Sequence, residues 1–202
     1  PLDAARRARD KPAMAPIALF DLDGTLVDSA PDLRAALNRL MQARALPAFA
    51  LPEVVAMVGD GARALVERAL AARGLPFDAP ALDAFLADYT AHAAVETRPF
   101  AGIEATLDAL AASGWRLAVC TNNPEAAARE LLAALGLAPR FAALGGGDSF
   151  AVRKPDPGHV LATLAAAGGL AAAAVMIGDH HNDVAAARGA GIKVVFAGWG
   201  YG

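Results

Sequence analysis

Two carboxylates separated by one residue, Asp21 and Asp23, follow the apolar run Ile17-Ala18-Leu19-Phe20 and precede Gly24 and Thr25. The run has the character of a short buried strand, and open α/β sheets place their chemistry at the carboxyl ends of strands. The acids therefore stand where proton transfer or cation binding would be served, and Gly24 lets the chain turn directly after them. A calcium loop is excluded: with Asp21 at position one, Leu26 rather than glycine would occupy position six. The plainer alternative is that the acids only cap the following segment, the default for one isolated acid before glycine.

The elements that must hold this pair are legible downstream. Between residues 31 and 93 apolar side chains recur at intervals of three and four: Leu33, Leu37, Leu40 and Met41, then Leu65, Val66, Ala69 and Leu70, then Leu82, Phe85, Leu86 and Tyr89. That is a helical block without strands, punctuated by Gly59-Asp60-Gly61 and Arg73-Gly74-Leu75-Pro76 and ended by Pro99. Beyond Pro99 the period changes. Helices over 103–112, 124–135, 157–167 and 182–188 alternate with strands over 117–120, 142–144, 175–177 and 194–196, with helix stops at Gly114, Gly136, Gly168 and Gly191. Pro124 and Pro157 sit where a first helical turn tolerates proline. Right-handed crossovers turn such repeats into a parallel sheet covered on both faces, and the first strand joins it. The expected fold is α/β: a doubly wound, Rossmann-like core from residues 1–29 and 97–202, interrupted by a helical cap over 30–96. Residues 1–16 are charged and irregular by pattern.

Composition narrows the function classes. The chain of 202 residues is 56% hydrophobic and 19% charged, with a net charge of −3, an ordinary globular make-up without the basic footprint of a nucleic-acid binder. No apolar stretch approaches the roughly 20 residues of a membrane span. The single Cys120 cannot form an internal disulfide, which suits a reducing cytoplasm. The expectation is a cytoplasmic monomer or homodimer without nucleic-acid or membrane partners.

The segment Asp21-Leu22-Asp23-Gly24-Thr25-Leu26-Val27-Asp28-Ser29 resembles the first motif of haloacid dehalogenase superfamily phosphatases. Three further motifs fall in order: Thr121-Asn122 after strand 117–120, Lys154 in Arg153-Lys154-Pro155-Asp156-Pro157, and Gly178-Asp179 with Asp183 after strand 175–177. The resemblance implies a phosphatase acting on a small phosphorylated metabolite, with Asp21 as nucleophile and Asp23 as acid and then base. It implies Mg²⁺ held by Asp21, the backbone carbonyl of Asp23, Asp179 and Asp183, the last through a metal-bound water. Thr121 and the Asn122 amide would hold the phosphoryl oxygens, and Lys154 would screen charge. The chemistry is coherent, because a carboxylate attacks an anionic phosphate only when cations offset the repulsion and fix an in-line approach.

The segment from Val58 to Leu70 is similar to the cap loop and helix of bacterial phosphoglycolate phosphatases, and Gly198-Trp199-Gly200-Tyr201-Gly202 resembles their ending after the fifth core strand. Phosphoglycolate is then the first substrate expected. Arg63, beside the glycines, is the candidate for reading its carboxylate; the alternative is a solvated arginine paired with Glu67 one turn on. His180 and His181 depart from the pattern. Neighbouring histidines are expected to point apart and to stay outside the magnesium shell. Cys120 is expected to be a small core residue, and His92 and His159 surface or structural ones. A metal-free dehalogenase has no need of Asp23 and Asp179. A phosphosugar mutase shares the acid pair and would differ by returning the phosphoryl group to the sugar. A non-catalytic binding module would lack at least one of the acids.

Overall fold

The computed structural model describes residues 15–92 and 94–202. The reading of residues 1–16 as irregular therefore falls almost wholly outside the described residues. Five parallel strands form the central sheet: β1 (Ile17–Phe20), β4 (Arg116–Cys120), β5 (Ala143–Gly145), β6 (Ala174–Gly178) and β7 (Lys193–Phe196), in the order β5-β4-β1-β6-β7. β1 lies in the middle because both neighbours pair with all four of its residues; Phe20 stands opposite Val119 on one side and Ile177 on the other. Asp21 is thus carried to the sheet's centre, and its backbone N–H extends the ladder to the Ile177 carbonyl at 2.9 Å.

Alternation along the strands divides the core by face. Ala18, Phe20, Leu117 and Val119 pack on one side, and Ile17, Leu19, Ala118, Cys120 and Met176 on the other. The covering helices of the second half are α5 (Ile103–Ala112), α6 (Glu125–Ala134), α7 (Pro157–Ala166) and α8 (His181–Gly189). Their ends lie within a residue or two of the expected ones. The Asp156 carboxylate caps α7 by accepting from the Gly158 N–H at 2.7 Å, with Pro157 in the first turn as expected.

The block between the first two core strands is helical: α1 (Ala30–Ala43), α2 (Leu51–Val55), α3 (Ala62–Ala71) and α4 (Ala79–Ala91). Its apolar stripes do not form a separate core. Leu33, Leu37, Val66, Leu70, Phe85 and Tyr89 join the cluster that continues through Phe20, Val119 and Leu131 of the sheet and its helices. Two short strands missed by the periodicity, β2 (Val27–Asp28) and β3 (Arg98–Pro99), pair antiparallel where the chain leaves and re-enters the core. Two residues each are too few to show a period. Beside them buried Asp32 accepts from the N–H groups of Glu96 and Thr97 and the Thr97 hydroxyl at 2.7–3.0 Å, tying the two connecting segments together.

Candidate active site

Four loops at the carboxyl edge of the sheet converge. Asp21 follows β1, Thr121 follows β4, Lys154 lies between β5 and α7, and Asp179 follows β6. Lys154, 2% exposed, places its Nζ 2.9 Å from Asp21 Oδ1 and 2.5 Å from Asp183 Oδ1. Burial alone would lower the ammonium's pKa; the carboxylates of Asp183 and Asp21 outweigh it and push it above the ordinary lysine range. Lys154 is therefore a permanent cation bridging two acids.

Asp21, Asp179 and Asp183 bring carboxylate oxygens within 4.8 Å of one another. Burial raises the pKa of Asp179 and of Asp183, and the Asp21 charge adds to both; Lys154 pulls Asp183 back. The Thr25 hydroxyl donates to Asp179 Oδ1 at 2.7 Å and the Tyr201 N–H to Asp179 Oδ2 at 2.8 Å, so that carboxylate is held from two sides. Gly24 has φ +80°, and a Cβ there would collide with the same carboxylate. A cradle of closely set, buried carboxylate oxygens fits a hard divalent cation.

Asp23 points to a different set of partners. The Ser29 hydroxyl donates to its Oδ1 at 2.5 Å and Asn123 Nδ2 to its Oδ2 at 3.0 Å, while Asn123 Nδ2 also lies 3.5 Å from the Tyr89 hydroxyl of α4. Burial, with the charges of Asp21 and Asp179, pushes the Asp23 carboxyl up to about 6 against the pull of those two hydrogen bonds. Two carboxyls two residues apart thus differ in role: one ion-paired to lysine, the other able to hold a proton near neutrality.

The helical cap covers this edge. Leu33, Val58, Gly59, Leu65, Phe85 and Tyr89 line the cavity from the cap side, opposite Asp21, Asp23, Thr121, Asn123 and Asp179, and its volume is about 40 Å³. The cap is latched at its glycine loop. Asn122 Nδ2 donates to the Gly59 carbonyl at 3.0 Å and to the Lys154 carbonyl at 2.9 Å, and Asn182 Nδ2 donates to Asp60 Oδ1 at 2.6 Å. Gly59, at φ +120°, has no room for a side chain: a Cβ would lie 2.5 Å from the His180 ring.

The structure thus brings Asp21, Asp23, Thr121, Asn122, Lys154, Asp179 and Asp183 to one edge. It does not bring Arg63. That side chain is exposed, and its guanidinium stacks over Phe77 at 4.3 Å from the ring centre. The reason is helical geometry: Gly61, Ala62 and Leu65 face the cavity, and Arg63 projects from another face of α3. The two histidines also differ from expectation. Their ring centres are 4.0 Å apart, because His180 is the extended N-cap and His181 the first helical residue of α8, so the backbone bends between them. Cys120 is a buried strand residue whose thiol burial pushes up to about 11, His92 is exposed and His159 is buried.

A family model for haloacid dehalogenase-like hydrolases matches residues 16–191. The chain belongs to that family. Among relatives of this hydrolase, the phosphoglycolate phosphatase of Caulobacter vibrioides is 47% identical over 186 residues, 90% of this chain and 78% of that one. The phosphoglycolate phosphatase of Agrobacterium fabrum is 43% identical over 192 residues, 93% of this chain and 82% of the other. A crystal structure of a predicted phosphoglycolate phosphatase from Haemophilus somnus superposes with a TM-score of 0.85 at 30% identity, covering 94% of this chain and 88% of that one. The four motifs read from the sequence all lie inside the family match. Sequence reasoning does not single out Ser29, Asn123, Tyr89, Asn182 or Tyr201 as site residues of this hydrolase; the available signal is that Ser29 lies within the first motif, Asn123 adjoins the second and Asn182 falls between the acids of the fourth.

Proposed function

We propose that this hydrolase is a Mg²⁺-dependent phosphatase that cleaves 2-phosphoglycolate to glycolate and phosphate through an aspartyl-phosphate on Asp21. The observation that carries the reading is the division of labour between the acids, with Lys154 2.9 Å from Asp21 and Asp23 held apart by Ser29 and Asn123. Asp21 attacks phosphorus; Asp23, protonated, gives its proton to the departing alkoxide and as carboxylate then takes one from the water that cleaves the acyl phosphate. Thr121 and the Asn122 amide hold phosphoryl oxygens, and Lys154 offsets their charge. Bound Mg²⁺, held by Asp21, Asp179, Asp183 and the Asp23 carbonyl, would supply charge neutralisation and fix the phosphoryl group in line.

Substrate choice rests on the similarity to phosphoglycolate phosphatases and on the small cavity, which suits a compact anion. The N-terminus of α3, at Gly61 and Ala62, borders that cavity and supplies a favourable dipole for the substrate's carboxylate end. The test is a comparison of kcat/KM for phosphoglycolate and for sugar phosphates with Mg²⁺ present, together with a search for isomerised product. A preference for a sugar phosphate, or product still phosphorylated, overturns the substrate assignment.

A further inference from the structure

Outside the carboxylate cluster, a second convergence of metal-ligating side chains joins the cap to the core. Asp60 of the cap loop, His180 and His181 each offer one ligand atom, and these atoms lie within 4.8 Å of one another. The donor set differs in kind from the first cluster: two imidazoles and one carboxylate suit a borderline transition ion such as Zn²⁺ or Co²⁺, whereas carboxylates alone suit Mg²⁺. Arg68 and Asn182 each occupy one oxygen of Asp60. A carboxylate has about four acceptor positions, so lone pairs remain for an ion. His181 is exposed and borders a surface cleft with Val55, Val58 and Val184, which gives an ion a path from solvent.

The arrangement exists because the cap is closed. Gly59 packs its backbone against the His180 ring, and the Asn182 amide holds Asp60 beside α8. Opening the cap would carry Asp60 away from both histidines, which belong to the core. We propose that Asp60, His180 and His181 form a second, transition-metal site that binds Zn²⁺ or Co²⁺ in the closed conformation and pins the cap to the core. The ion binds one conformation better than the other, so it shifts the population toward closure. Occupancy slows turnover where product release requires the cap to open.

The experiment is a Co²⁺ titration of the full chain in saturating Mg²⁺, followed by visible absorption. Amide hydrogen exchange across the 58–61 loop is measured with and without Zn²⁺. Wild type should develop a one-equivalent d–d band, slow exchange in the loop, and lose turnover as Zn²⁺ is added. His181→Ala and Asp60→Asn should each weaken Co²⁺ binding at least about tenfold, the scale on which even outer partners of a bound metal act, and should release the Zn²⁺ inhibition. Circular dichroism confirms that both variants fold. The proposal fails if no band forms below millimolar Co²⁺, or if Mg²⁺ displaces the ion stoichiometrically, which would place it on the acidic cluster. It fails equally if Asp60→Asn binds as tightly as wild type, since the histidines would then bind alone without bridging to the cap.

Discussion

Asp23→Asn should stabilise the metal-free protein while crippling its chemistry. The Asp23 carboxyl is raised from its ordinary value of 3.8 to about 6 by burial and by its acidic neighbours. At about 1.4 kcal/mol per pH unit, that shift disfavours the folded state by at most about 3 kcal/mol at neutral pH. Asp23 faces the cavity, and solvent there brings the expected figure down to about 1–3 kcal/mol. The amide can keep both contacts, with its oxygen accepting from Asn123 and its NH₂ donating to the Ser29 oxygen, so little hydrogen bonding is lost. The sign follows from proton uptake. A carboxyl with a folded pKa above its unfolded one binds more protons in the folded state between the two values. Asp23 therefore contributes a loss of stability as pH rises from about 4 through about 6, and the asparagine variant lacks that contribution while keeping those of Asp179 and Asp183.

Urea unfolding in chelator at pH 4.5 and pH 7.5 measures the difference. About a third of the gap should be present at the lower pH and nearly all of it at the higher one. A gap independent of pH, or an asparagine variant less stable at pH 7.5, would refute the electrostatic account of Asp23. The kinetic counterpart is a loss of about 10²–10⁴-fold on an alkyl phosphate, partly recovered with an aryl phosphate whose leaving group needs no proton.

Asp21→Asn should abolish both turnover and labelled phosphoenzyme in a rapid acid quench; near-normal hydrolysis in that variant would mean that water or another group attacks directly. Chelator should stop turnover and Mg²⁺ restore it, with Ca²⁺ inhibiting because the larger ion takes more oxygens at longer distances; full activity in excess chelator would remove the cation from the mechanism. Gly59→Ala should raise KM and lower kcat together without unfolding the protein, because its φ of +120° and a Cβ 2.5 Å from the His180 ring keep the cap from seating. Unchanged steady-state kinetics would show that closure does not need this contact. Arg63→Ala should leave phosphoglycolate and aryl phosphate hydrolysis equally unaffected, since the side chain lies over Phe77 outside the cavity; a selective rise in KM for phosphoglycolate would return Arg63 to substrate recognition.

Residues carried at strand ends were legible because their place follows from local pattern: an apolar run, an acid or hydroxyl, then a turn. That logic located Asp21; the resemblance to the family's later motifs pointed to Thr121 and Asp179 after expected strands, and the parallel register brings all three to one edge. It could not reach contacts whose partners are distant in sequence. Tyr201 lies in a glycine-rich tail, yet its N–H holds Asp179 and its hydroxyl donates to Asp28 at 2.7 Å. Arg63 was misplaced because proximity to glycines says nothing about which face of a helix a side chain occupies. The histidine pair departs from expectation because neighbouring side chains point apart along a strand or turn, whereas here the backbone bends from extended to helical between them. The consequence for mechanism lies in the least legible contact, the chain from Tyr89 of the cap through Asn123 to Asp23. Asn123 belongs to the loop after β4 and Tyr89 to α4, so seating the cap over the edge also completes the surroundings of Asp23. Burial is the largest influence raising the Asp23 carboxyl. The segment that closes over the edge thus belongs to the surroundings that raise the Asp23 carboxyl, and on the proposed mechanism hydration of Asp23 would lower its pKa and weaken it as a proton donor.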